Sequence, residues 1–173
     1  MTRHLSLLVF WGCTAILALV PVAALFYLVK LDAFVGFTRL TIGLPIQWET
    51  VTAGQVYTLW VVTMLYVSIG LVGLYFLRRA FANFAQGEMF NLANSRDLRL
   101  FSILLLAQAI ATPIQTGLAS VLLSLNHPAG QKMLSISLGS NEFKAVGIAL
   151  VLWVMSELLI EGCKLQNENR QFV

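Results

Sequence analysis

Charge is what this sequence has least of. Only 11% of its 173 residues are Asp, Glu, Lys or Arg, where a soluble domain carries roughly a quarter, and a mean hydropathy of +0.81 excludes an ordinary water-soluble globule. Cysteine is nearly absent as well. Cys13 and Cys163 stand far apart in the chain, which excludes a disulfide framework or a cysteine zinc cluster, and both read as small packing residues. There is no Gly-x-Ser-x-Gly elbow, no His-Glu-x-x-His helix and no phosphate loop. The sequence therefore predicts a protein that is not an enzyme, with no catalytic residue, no cofactor and no metal site. The formal net charge of +3 is too small to point to nucleic acid, and no direct nucleic-acid binding is expected.

What the chain has instead is long apolar runs. A membrane-spanning helix needs ~20 mostly apolar residues, and residues 5–29, 51–77 and 100–125 each meet that length without a charge. A fourth run, 143–160, is interrupted by Lys144 and Glu157. Arg3 and His4 ahead of the first run imitate a secretory signal, but the run is longer than a signal's apolar core, so it reads as a retained helix. The expectation is an all-α, integral membrane four-helix bundle forming one transmembrane domain over 1–173, with spans at about 5–29, 55–86, 92–125 and 143–162.

Loops facing the cytoplasm collect Lys and Arg. Arg3, Arg78, Arg79, Arg96, Arg99, Lys164 and Arg170 fall on one side of such a chain, and Lys30, Arg39, Lys132 and Lys144 on the other. This bias predicts cytoplasmic N- and C-termini and a cytoplasmic loop over 78–99, in the inner membrane of a bacterium. Trp48, Tyr57 and Trp60 gather at the opposite interface. Apolar residues at helical spacing, among them Phe81 and Phe84, carry the second span past the bilayer. Gly87 then suits a helix C-terminus and Asn91 the next N-cap, giving a helical hairpin beneath the membrane.

The hairpin residues Gly87, Phe90, Asn91, Leu98 and Arg99, with Glu161, Gly162, Leu165, Gln166, Glu168 and Asn169 near the C-terminus, resemble the bacterial membrane family DUF2975. The resemblance implies a four-span fold and, because such genes often lie beside a small helix-turn-helix regulator, a regulator of that kind as partner. It implies no reaction. Phe84, Gly87, Phe90, Asn91, Arg96, Leu98, Arg99, Glu161, Gly162, Leu165, Gln166 and Glu168 form the expected cytoplasmic interaction face. Leu165 and Phe172 are expected to dock weakly on Phe81 and Phe84.

Polar residues inside the spans form the second candidate group. Gln108, Thr112 and Gln115 recur at i, i+4 and i+7 on the third span, a stripe that faces other helices rather than lipid. Their amides are expected to find backbone and hydroxyl partners, as interhelical glue. Glu157 is costly to place in hydrocarbon and reads as an anchor paired with Arg78, Arg79 or Arg99. Two functions follow: a sensor or regulatory partner, of a regulator or of another membrane protein, working through the hairpin and C-terminal tail; or a small transporter or accessory subunit of one, using Glu157 and the stripe. Finally, residues 39–44 and 133–138 share a Leu-polar-Ile-x-Leu pattern that predicts a small extracytoplasmic hairpin or two-stranded sheet, and His127 is expected to be solvated.

Overall fold

The computed structural model describes residues 2–87, 91–128, 130–136 and 138–171, with side chains from Arg3 to Leu165. Five helices lie among them: α1 Thr2–Val29, α2 Leu31–Ile42, α3 Ala53–Ala85, α4 Leu92–Ser124 and α5 Ser140–Gln171. All but the short α2 are long and apolar enough to cross a bilayer. Their ends follow from local chemistry. Thr52 starts α3 with a capping box, its Oγ1 accepting from the Gln55 N–H while the Thr52 N–H donates to Gln55 Oε1 at 2.7 Å. Gly87 takes up φ +90 just past the last turn of α3, a conformation open to glycine and costly for most residues. Asn91 Oδ1 then accepts from the Ala93 N–H at 2.9 Å and starts α4.

The long helices pack in sequence order, α1 on α3, α3 on α4 and α4 on α5, and α1 and α5 share no comparable contact. Among the described residues they form a row in which each long helix packs on the next. In the central pair, facing residues have numbers adding to 176–178 along the whole length: Asn83 with Asn94, Arg79 with Asp97, Tyr66 with Thr112, Gln55 with the Leu122 carbonyl. One antiparallel register therefore holds from end to end. At the end away from the hairpin, Phe34 of α2 and Ile46 of the 43–52 connection are buried with Val56, Leu59, Ala119 and Leu123 of α3 and α4, making a cap.

The predicted sheet is not there, and no described residue lies in a strand. Residues 39–42 are the last turn of α2. Met133 to Ile136 have no regular secondary structure, and their partner is a helix. Ser124 Oγ accepts from the Met133 N–H at 3.0 Å and Ser120 Oγ from the Ser135 N–H at 2.9 Å. Ser137 lies outside the described residues. His127 is also not solvated. It is 5% exposed, and its Nε2 accepts from the Gln47 N–H at 3.1 Å, so Nδ1 carries the proton shared with the Gln131 carbonyl 3.2 Å away.

Replacing both Ser120 and Ser124 with alanine should remove two hydrogen bonds worth ~0.5–1.5 kcal/mol each. Hydrogen exchange should then quicken at Met133 and Ser135 while the hairpin end of α3 and α4 stays as protected as before. Unchanged protection at those two amides would show that the serines do not hold the segment.

Candidate functional site

Three consecutive ties, each made by one arginine, bind the row together at the hairpin end. Arg78 Nε donates to Thr14 Oγ1 at 2.8 Å, and its guanidinium lies 4.7 Å from the Phe10 ring centroid, joining α3 to α1. Arg79 grips Asp97 with two parallel N–H donors, joining α3 to α4. Arg99 Nη1 lies 3.3 Å from Glu157 Oε1, joining α4 to α5, and Trp153 Nε1 donates to the same oxygen at 3.3 Å. The middle tie differs in kind. The Asp97 side chain is 0% exposed while that of Arg79 is 50% exposed, so a fully buried carboxylate depends on one half-exposed cation. Asn83 Nδ2 donates to Asn94 Oδ1 at 2.5 Å one turn nearer the hairpin tip, and Asn94, Ser95 and Ser102 are wholly buried beside it.

The expected interaction face is only partly a face. Arg96, Arg99 and Glu161 are exposed, and Phe84, Asn91 and Gly162 are partly buried. Leu98 is buried and unavailable to a partner. Phe84 stacks edge-on against Phe81 with ring centroids 5.4 Å apart. Docking of the tail on these rings is not found at Leu165, which is 61% exposed, because α5 continues as one helix to Gln171 instead of turning back. Phe90, Phe172 and the side chains of Gln166 and Glu168 lie outside the described residues.

A second polar group lies farther along the row. Thr112 Oγ1 donates to the Gln108 carbonyl at 2.9 Å, which leaves its lone pair to accept from the Tyr66 hydroxyl at 3.2 Å. The Gln108 carboxamide lies over Gly70, where a Cβ would come within 2.8 Å of Oε1 and oblige the amide to move. Gln108 and Thr112 line a cavity of about 210 Å³ together with Tyr66 of α3 and with Asn141 and Glu142 from the first turn of α5. Gln115 lines a neighbouring cavity of about 290 Å³ under α2, with Thr38, Thr41, Thr63 and Thr116. Neither glutamine amide has a hydrogen-bond partner among the described residues, where the sequence leads one to expect backbone and hydroxyl partners. Glu157 belongs to neither cavity.

Sequence reasoning misses Asp97, Asn94 and Glu142. For the first two a signal exists: Arg79 and Asn83 are one turn apart on α3, Asp97 and Asn94 one turn apart on α4, and the two pairs are complementary across Gly87.

A family model described as a protein of unknown function (DUF2975) matches residues 3–171. The chain belongs to that family. No curated protein and no solved structure matches it. For this DUF2975 protein the membrane setting thus rests on its four long apolar helices, and the candidate chemistry on the geometry above. Among the described residues no group of three or more His, Cys, Asp or Glu side chains could hold a metal ion.

Removing one partner of a buried pair costs ~3–5 kcal/mol, because the other charge stays buried and unpaired. Arg79→Ala should therefore lower the thermal midpoint in detergent far more than Asp97→Asn, which still accepts from Arg79 and buries no charge. Adding Asp97→Ala to Arg79→Ala should recover part of the loss. Equal effects of the two single changes would show that Asp97 is not an isolated buried charge.

Proposed function

We propose that this DUF2975 protein is a non-enzymatic sensor or regulatory partner of a bacterial inner membrane, with both termini and the hairpin in the cytoplasm. Its output surface is the exposed part of the α3–α4 hairpin together with the projecting end of α5. The observation that carries this reading is the set of arginine ties at one end of the row. Ties of this kind make a fixed platform, and they stand where positive residues concentrate, the side that the positive-inside bias assigns to the cytoplasm. Past the ties, α3, α4 and α5 continue as helix and present Arg96, Glu161 and Leu165. Such a mixed surface suits a small soluble regulator, the partner that the family resemblance implies.

The transporter alternative has less support. It needs Glu157 to titrate along a route through the polar stripe, and Glu157 instead meets Arg99 and Trp153. The surface concavity at Glu157 is lined by α5 alone and shares no residue with the Gln108 cavity.

Photocrosslinking amino acids placed at Arg96 and Leu165 of the full chain in native membranes should capture the neighbouring helix-turn-helix regulator. The same group at Glu49, on the cap, should not. Arg96→Glu should reduce capture at Leu165. Capture equal at all three positions, or none at Arg96 and Leu165, would overturn the regulatory reading, and a proton flux abolished by Glu157→Gln would favour transport.

A further inference from the structure

Asp32, Arg39, Glu49 and Lys132 at the cap are all exposed, whereas His127 is buried. Each nitrogen of its ring meets a backbone group whose role is fixed. The Gln47 N–H can only donate, to Nε2 at 3.1 Å, and the Gln131 carbonyl can only accept, from Nδ1 at 3.2 Å. One protonation state fits both, the neutral ring with its proton on Nδ1. Histidine is also the side chain that ordinarily changes charge between about pH 5 and 8. The bonds beside it do not titrate: Gln47 Nε2 donates to Gln131 Oε1 at 2.7 Å, and Asn126 Nδ2 to the Thr50 carbonyl at 3.0 Å.

A proton on Nε2 would set two donors face to face and leave the Gln47 N–H without its acceptor. It would also bury a charge without a counter-ion. The charged groups on the elements around the ring are Asp32 and Arg39 of α2, Glu49 of the 43–52 connection and Lys132 next to Gln131. Neither carboxylate forms an ion pair with the imidazole among the described residues. On α3 no charged residue precedes Arg78, and on α4 none follows Arg99. The closed cap therefore binds one proton fewer than the open one, and opening is favoured as the pH falls. Neighbouring bonds decide what opens. Asn126 still holds Thr50, so the freed stretch is 43–49, and it carries Ile46 out of the apolar cluster with Phe34, Val56 and Leu123.

We propose that His127 is a proton-operated latch: acid on the cap side protonates its imidazole, breaks the bond to the Gln47 N–H and swings residues 43–49 away from the end of α4 about Thr50. The signal received is the proton itself, and the response is a change in the shape of the cap. Burial of Ile46 opposes the swing and recloses the latch when the proton leaves. The latch gives the sensor reading an input, but it stands on the geometry of the ring and holds whether or not the hairpin recruits a regulator.

The full chain in nanodiscs, whose two faces meet the same buffer, tests the latch apart from the topology. His4 and His127 are its two histidines, so His4→Gln leaves His127 as the only ring seen by nitrogen NMR of histidine-labelled protein. At about pH 8 that ring should be the Nδ1–H tautomer, and by about pH 5 it should be doubly protonated. Over the same interval the protection factors of the Ile46 and Gln47 amides, corrected for the intrinsic pH dependence of exchange, should fall about tenfold, the scale of one lost hydrogen bond. They should recover on return to the higher pH, and Ser95 at the hairpin should stay protected throughout. In His127→Gln, which donates and accepts without titrating, the fall at Ile46 and Gln47 should vanish. An Nε2–H tautomer at the higher pH, a ring still neutral at the lower, protonation without loss of protection at Gln47, or an equal fall in His127→Gln would overturn the proposal. The first three outcomes are read without any change at His127.

Discussion

Asp97 is the residue on which the rest of the structure depends. A carboxylate with no exposure must be paired or neutralised, and the partner within reach is Arg79, half-exposed at the end of α3. Slipping α3 against α4 by one turn would move the two apart by ~5.4 Å and separate Asn83 from Asn94 as well. The pair therefore penalises every register but one. That register brings Tyr66 to Thr112, Gly70 under Gln108 and the Gln55 amide to the Leu122 carbonyl at 2.7 Å. The cavity and the cap are thus consequences of a contact made at the opposite end of the helices.

Lipid supplies no hydrophobic force between helices, so packing and polar contacts must hold the row. The two ends do this differently. At the hairpin end the ties are made by guanidinium groups, of which the exposed Arg99–Glu157 pair contributes little, ~0–1 kcal/mol, and the buried Arg79–Asp97 pair is the expensive one to break. At the cap the hydrogen bonds are neutral, beside one cation–π contact of Arg39 with Trp48 at 5.0 Å. Asn126 Nδ2 donates to the Thr50 carbonyl and Gln55 Oε1, each at 3.0 Å, His127 bridges Gln47 and Gln131, and serine hydroxyls hold the 133–136 segment. Neutral bonds worth ~1 kcal/mol each can open singly, whereas the buried ion pair cannot.

The long helices are legible in the sequence because an uncharged apolar run of membrane length has little use except to cross lipid, and Gly87 and Asn91 mark the hairpin turn through their own backbone chemistry. The sequence misleads where one signal has two physical sources. Alternation over 133–138 does not say what accepts the N–H groups, and Ser120 and Ser124 accept from Met133 and Ser135 where a neighbouring strand was expected. Asp97, set between Arg96 and Arg99, looks like part of a solvated charge run. Only the antiparallel pairing across Gly87 shows that it faces α3. Glu142 escapes notice when the fourth span is begun at residue 143, as though a helix must start at the membrane surface.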